Sequence, residues 1–497
     1  MSNFGQILRE IGEFGLFQGL HSGKRLLFAL CALNVFPALD VIGQVFTGQS
    51  FPHHCNTDWI LERGPNLTEE RQKNLTIPVN EDGSFESCEM FTPVDWDLED
   101  IEKYGINTTT KCMDGWDYEA GPGGSTLVTE FDVVCDKNGL IAVSQSISMA
   151  GILIGALVYG IISDRFGRRF AILLAISFLL VFGVATAFSP NIYVYMVFKF
   201  FCGTSTDPSK AALCTMVILC FSGIGQMSLS GIAYLIHNWR ILQLVLFSPL
   251  VILLGAHYWI LPESARWLLA HGKKKKAQKE LQRAARINGT KLPEDLLDQI
   301  NMERTSERRN VFDIFKIPYL RKYTLIMGFI WFAVSLLYYG LALNVGSFGM
   351  NIYLTQFIFA LVEIPANVCG LFLIQHFGRR LCEACFLIFG GTACLVVLAV
   401  PKDLPVVVTA IAVLGKFSVS ASFSTAYVYA AELYPTVLRS ELHVCSCILA
   451  PLIRLLEVYH YTIPMLMYGI IPIAAGSFCL LLPETLNVQL QDHTELK

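Results

Sequence analysis

Lys416 stands inside the apolar run 404–430, and Phe423 and Tyr427 follow it at spacings of seven and four, so all three share one face of a helix. A charge in such a run is a functional candidate by its position; snorkelling to the interface and pairing with an acid such as Glu363 are the alternatives. A second set of charges is repeated. SDRFGRR, Ser163 to Arg169, lies between two long apolar runs, and QHFGRR, Gln375 to Arg380, lies between two more. Gly167 and Gly378 permit a tight turn. Arg165, Arg168 and Arg169, with Arg379 and Arg380 in the copy, hold the helix ends, and Asp164 can pair with an arginine or face a helix N-terminus. Gly160 completes the longer string GIISDRFGRR. These residues suit binding and conformational change rather than bond-making. No Ser/His/Asp arrangement, phosphate loop or zinc spacing accompanies them, so catalytic residues, metal, cofactor and enzyme activity are not expected. Cys382 and Cys385 form a CxxC without a second pair and read as helix packing.

The elements that position these residues are membrane helices. The chain has 497 residues, of which 53% are hydrophobic and 16% charged, and a mean hydropathy of +0.49. A soluble chain would carry about a quarter charged residues. Apolar runs of about 20 residues, long enough to cross about 30 Å of hydrocarbon at 1.5 Å per residue, recur along most of it. Runs such as FAILLAISFLLVFGVATAF are apolar all round, which excludes alternating barrel strands. Spans are expected at 25–46, 140–162, 170–188, 191–206, 211–236, 240–261, 323–343, 352–375, 381–400, 404–430, 442–460 and 462–482. The fold class is therefore an all-α integral membrane protein of two six-helix halves, 25–261 and 323–482, with a short N-terminus 1–24, a linker 262–322 and a tail 483–497.

Charge sets the orientation. The 262–322 segment holds 15 Lys and Arg against 8 acids, whereas 48–138 holds 6 against 19. The positive-inside tendency puts the linker and both termini in the cytoplasm and the 48–138 loop outside. Independent features agree: sequons at Asn66, Asn74 and Asn107, and four cysteines, Cys55, Cys88, Cys112 and Cys135, suited to two disulfides in any of three pairings. The sequon at Asn288 falls in the cytoplasmic linker and is expected to go unused. HHC, His53 to Cys55, reads as loop with a disulfide cysteine. The lysine run near 273 reads as a solvated cytoplasmic face, with anionic lipid as the alternative contact; nucleic acid is not an expected partner.

Two halves with the same loop after the second span of each imply an internal repeat, the arrangement that lets two bundles rock around a central site. GIISDRFGRR resembles the cytoplasmic loop of the major facilitator superfamily. The large first loop, PESARWLL (Pro262 to Leu269), its echo PET (Pro483 to Thr485) and AELYPTVLR (Ala431 to Arg439) are similar to the solute carrier 22 family of organic anion, cation and zwitterion transporters, over nearly the whole chain. GPNL, NLTIP and YVYAAELYPT look most like its organic-anion-type members, whose substrates include urate and nicotinate. The resemblance implies alternating access by a plasma-membrane carrier of a small organic ion, with an exchanged counter-ion as a further partner. It places Tyr338 and Tyr339 in the cavity, with Trp331 and Phe332 two turns away and Lys416, Phe423 and Tyr427 on the tenth span. It also assigns Glu263, Arg266, Glu432 and Arg439 to the conformational loops.

The pattern then breaks. Family members carry an acid-to-arginine element after the fourth span, where this chain has only STDPSK, Ser205 to Lys210; roughly 15 residues are missing by comparison. The apolar remnant Ile192 to Gly203 is too short to cross at about 1.5 Å per residue. The eleventh span lacks the segment bearing the family's substrate-facing arginine, and Arg454 is the nearest cation. At the customary cationic position of the eighth span stands Asn367. A charge such as Arg454, Glu441 or Glu457 near mid-membrane costs about 2.5–3.5 kcal/mol unless paired or solvated. Two readings follow: an organic-ion transporter favouring anions, or a family-derived membrane protein impaired in transport.

Overall fold

The computed structural model describes residues 31–80, 83–119, 121, 124–205, 215–287, 318–401, 403–433, 453 and 462–486. They form two compact units, one of Phe46–Ile141 with Ile236–Trp239, the other of the remaining residues.

The larger unit is helical: α1 (Val35–Thr47), α2 (Leu140–Phe166), α3 (Arg168–Thr186), α4 (Ile192–Thr204), α5 (Thr215–Leu235), α6 (Trp239–Ile260, interrupted at Ser248 and Pro249), α7 (Pro318–Leu343), α8 (Ile352–Phe377), α9 (Arg379–Ala399), α10 (Pro405–Leu433) and a last helix, Thr462–Cys479. Among the described residues eight helices are long and apolar enough to cross a membrane. Large apolar side chains such as Ile161, Val181, Ile252, Trp259, Phe372 and Val406 face outward, as hydrocarbon requires and water would not favour. Eleven expected spans overlap the helices named above, eight of them membrane-length and three (25–46, 191–206 and 211–236) holding shorter apolar helices; 442–460 lies outside the described residues but for residue 453. Packing follows small residues: a side chain at Gly391 of α9 would meet the backbone of Gly469 on the last helix, and Gly476 faces Ala384 in the same way. α5 packs along α8, which packs along α10.

α4 has 13 residues, about 20 Å at 1.5 Å each, well short of a 30 Å core. Asn191 caps its start by accepting from the Val194 N–H, and the Ser205 N–H closes its end on the carbonyls of Cys202 and Gly203.

The smaller unit departs from an all-α chain. β1 (His53–Cys55) pairs antiparallel with β4 (Trp116–Tyr118), and β2 (Glu89–Phe91) with β3 (Thr109–Lys111). Each strand has three residues, too few for an alternating pattern to register in sequence. Cys55 bonds Cys112 and Cys88 bonds Cys135, which selects one pairing of the three. Ile60, Ile77, Met90, Ile101, Leu127 and Val128 are buried, while Asn66, Asn74 and Asn107 are exposed.

Candidate functional site

Four helices bring polar side chains to one point in the larger unit. Lys416 on α10 is fully buried, and its Nζ lies 2.7 Å from Glu363 Oε1 on α8. Tyr338 on α7 donates its hydroxyl to the same oxygen at 2.6 Å. Gln226 on α5 donates Nε2 to Glu363 Oε2 at 3.0 Å and accepts from Gln356 Nε2 of α8 at 3.3 Å. The Lys416 ammonium also sits 3.3 Å from the centre of the Tyr338 ring. It is matched by charge and by a π face, yet it makes no well-directed hydrogen bond among the described residues.

Aromatic rings extend the cluster. Tyr338 tilts on Phe423 at 5.0 Å, Phe423 meets Tyr427 at 5.4 Å, and Trp331 stands edge-on to Tyr427 at 4.8 Å. Tyr339 is half-buried with its ring edge-on to Tyr338 at 5.2 Å. Asn367, one turn beyond Glu363, is buried, and its Oδ1 has no hydrogen-bond partner among the described residues. Phe332, the neighbour of Trp331, is half-buried and belongs to none of these ring contacts. Of the alternatives open to Lys416, pairing with Glu363 is the one realised.

The repeated loops are built alike. Gly167 (φ 104°) and Gly378 (φ 88°) each form a one-residue turn between two helices in a conformation that side chains strain to reach. After the first, the N–H groups of Arg168 and Arg169 donate to Glu263 Oε1 at 2.9 and 3.3 Å. After the second, those of Arg379 and Arg380 donate to Glu484 at 2.9 and 3.1 Å. In both turns a Cβ on the glycine would strike the carboxylate. A negative group at a helix N-terminus satisfies orphan donors and opposes the dipole. Partial burial pushes the Glu484 carboxyl up, but the N–H groups of Arg379, Leu486, Thr485 and Arg380 prevail and hold it below its ordinary range.

The side chains differ. Arg379 pairs with Glu432 at 2.7 Å, and Thr485 donates its hydroxyl to the other Glu432 oxygen. Arg168 is exposed and makes no ion pair among the described residues. Arg169 donates to the Tyr258 carbonyl at 2.6 Å, and Arg165 lies over Phe166. Asp164 is exposed and, among the described residues, neither pairs with an arginine nor caps a helix; its carbonyl accepts from Trp267 Nε1 at 2.8 Å, and the carboxylate at the helix end is that of Glu263. Gly160 is exposed with open space around it. Arg266 lies in the short helix Ala265–Ala270. Arg439, Glu441, Arg454 and Glu457 lie outside the described residues.

Sequence reasoning missed a second buried ion pair. Lys199 on α4 donates to Asp40 Oδ1 on α1 at 2.6 Å, both side chains being almost wholly buried. The Cys202 thiol points at the same oxygen from 3.6 Å, and the rings of Tyr195 and Phe247 flank the ammonium. The available signal was a lysine before phenylalanine within an apolar helix, as at Lys416. Glu484 and Gln226 were also missed; the PES/PET echo pointed to the first.

Solved structures share this architecture. The proton:xylose symporter XylE bound to 6-bromo-6-deoxy-D-glucose matches with a TM-score of 0.53 at 15% identity, over 94% of this chain and 98% of that one. The inward-open xylose transporter XylE from E. coli matches at 0.54, also at 15% identity, with the same coverage. The fold is that of the major facilitator transporters, and the chain is a multi-pass membrane protein of that class, not an enzyme. The family described as "Sugar (and other) transporter" matches residues 104–218 and 213–482. Solute carrier family 22 member 13 from Homo sapiens is 40% identical over 99% of this chain and 92% of its own length. Organic anion transporter 3 from Oryctolagus cuniculus is 36% identical (99% and 93%), and solute carrier family 22 member 14 from Homo sapiens 34% (98% and 87%). The chain belongs to solute carrier family 22. The 516-residue alignment to the first relative exceeds the 497 residues of this chain, so that relative carries residues missing here. The family match divides at 213–218, just after STDPSK.

Proposed function

We propose that this chain carries small organic ions across the plasma membrane by alternating access, organic anions in preference to cations, with planar ring anions such as urate and the carboxylate nicotinate as the substrate class and a counter-ion as the exchange partner. The observation that carries the reading is the buried Lys416 among the rings of Trp331, Tyr338, Phe423 and Tyr427. A cation in a dry, aromatic setting offers charge to a carboxylate and flat faces to a planar ring. Tyr339 and Asn367 add polar groups beside it. Gln226 comes from the first half and its partners Glu363, Gln356 and Tyr338 from the second, so the cluster lies where relative motion of the halves would be felt. Relatives named as organic anion transporters support the choice of charge. In this reading the linker 262–322 and both termini are cytoplasmic, Asn66, Asn74 and Asn107 carry extracellular glycans, and the two carboxylate-held turns brace the cytoplasmic face.

The test is uptake of labelled urate, nicotinate and a model organic cation into cells with a verified surface level of the chain. Saturable anion uptake above background is expected, and replacing Tyr338 and Tyr339 with alanine raises KM. A second reading, a membrane protein impaired in transport, is favoured by the 13-residue α4 and the break in the family match beside it. Surface expression with no uptake of any probe decides for it.

A further inference from the structure

We propose that Glu363 is a resident anion on Lys416, one that an incoming organic carboxylate must displace, and that its displacement is transmitted to the first half through Gln226. The inference rests on Lys416 as the anion-binding cation of the proposed function. An ammonium has three N–H donors and no acceptor. Here its close neighbours are a single carboxylate at 2.7 Å and the Tyr338 ring. It is thus held by charge and left with unspent donors. A ligand carboxylate meeting those donors head-on would form the directed contacts that charge-assisted hydrogen bonds favour.

Glu363 is held differently. Besides Lys416 it accepts from Tyr338 at 2.6 Å on one oxygen and from Gln226 at 3.0 Å on the other. The carboxylate can therefore leave the ammonium without losing every partner. Two carboxylates on one buried ammonium repel each other, so ligand entry swings Glu363 away. Gln226 follows, because its amide is fixed between Glu363 and Gln356. Gln226 lies on α5, on the seam with α8, where Gly223 packs against Ala360 and Ile364. Occupation of Lys416 is in this way reported across the boundary between the halves. Glu363 sets anion affinity as an internal competitor and acts as a positioning residue for the coupling.

Glu363→Gln keeps the shape and one of the two accepting oxygens while removing the competing charge. The KM for nicotinate uptake is expected to fall ~10-fold or more while kcat falls as well, a split that a merely structural role would not produce. A readout independent of transport is thermal unfolding of the purified protein: chloride or nicotinate, against gluconate at equal ionic strength, raises the Tm of Glu363→Gln far more than that of the parent chain. The double variant Glu363→Gln, Lys416→Gln loses this anion stabilisation. A KM within twofold of the parent overturns the proposal, as does a Glu363→Gln Tm indifferent to both anions or anion stabilisation that persists in the double variant. A parent chain that takes up no probe defeats the transport reading alone, because the unfolding measurement still decides the role of Glu363.

Discussion

The turns at Gly167 and Gly378 share a backbone and differ in what closes them. In each, a glutamate from a distant PES or PET segment accepts the first N–H groups of the following helix. At the second turn Arg379 then reaches Glu432, near the end of the 29-residue α10. At the first turn, the helix that would present such an acid has stopped. Glu432 lies sixteen residues beyond Lys416; sixteen beyond Lys199 is Thr215, already the first residue of α5. The backbone cap needs only a glycine, two arginine N–H groups and one carboxylate, whereas the ion pair needs a long helix behind it. Shortening α4 removes the second requirement and leaves the first intact.

Four substitutions break or sharpen this contrast. The largest effect is expected deep in the short half: Lys199→Met leaves Asp40 buried and unpaired and lowers stability by about 3–5 kcal/mol, read as a fall in Tm of the purified protein. Opening the closed turn comes next. Glu432→Gln removes the charge that orients Arg379 and Thr485, costing about 1.5–3 kcal/mol in the same assay. Third, Glu484→Gln weakens the cap by about 1–2 kcal/mol and removes an acid dependence. The folded carboxyl titrates below its ordinary 4.5, so its contribution is complete above that pH and is lost as pH falls through the folded value. A scan of Tm against pH should show this step in the parent and not in the variant. Smallest is Arg168→Gln, expected within about 0.5 kcal/mol because its side chain makes no ion pair among the described residues. A large loss there would mean that the first turn is closed after all.

Much of the membrane architecture was legible because lipid is an undemanding reader: a helix must be apolar for some twenty residues, and its ends gather charge. The glycine turns and the Lys416, Phe423, Tyr427 face were legible for the same local reasons. What joins distant segments was not. Asp40 and Lys199 are 159 residues apart, and each alone reads as a stray charge in an apolar run. Gln226, among the small residues of SGIGQMSLSG, carries no pattern that predicts a contact with Glu363. Asp164 looked like the acid that would cap a helix, but the competing carboxylate, Glu263, comes from about a hundred residues away. The four cysteines announced two bonds without saying which, since pairing depends on a folded unit whose strands are too short to be read.

Those two bonds interleave: in chain order Cys55 opens the first, Cys88 the second, Cys112 ends the first and Cys135 the second. Any single protease cut between residues 56 and 134 therefore leaves its two fragments covalently joined, by both bridges if it falls between Cys88 and Cys112 and by one elsewhere. A nicked chain would still run as one band until reductant is added, so this region tolerates a broken backbone without letting either piece go.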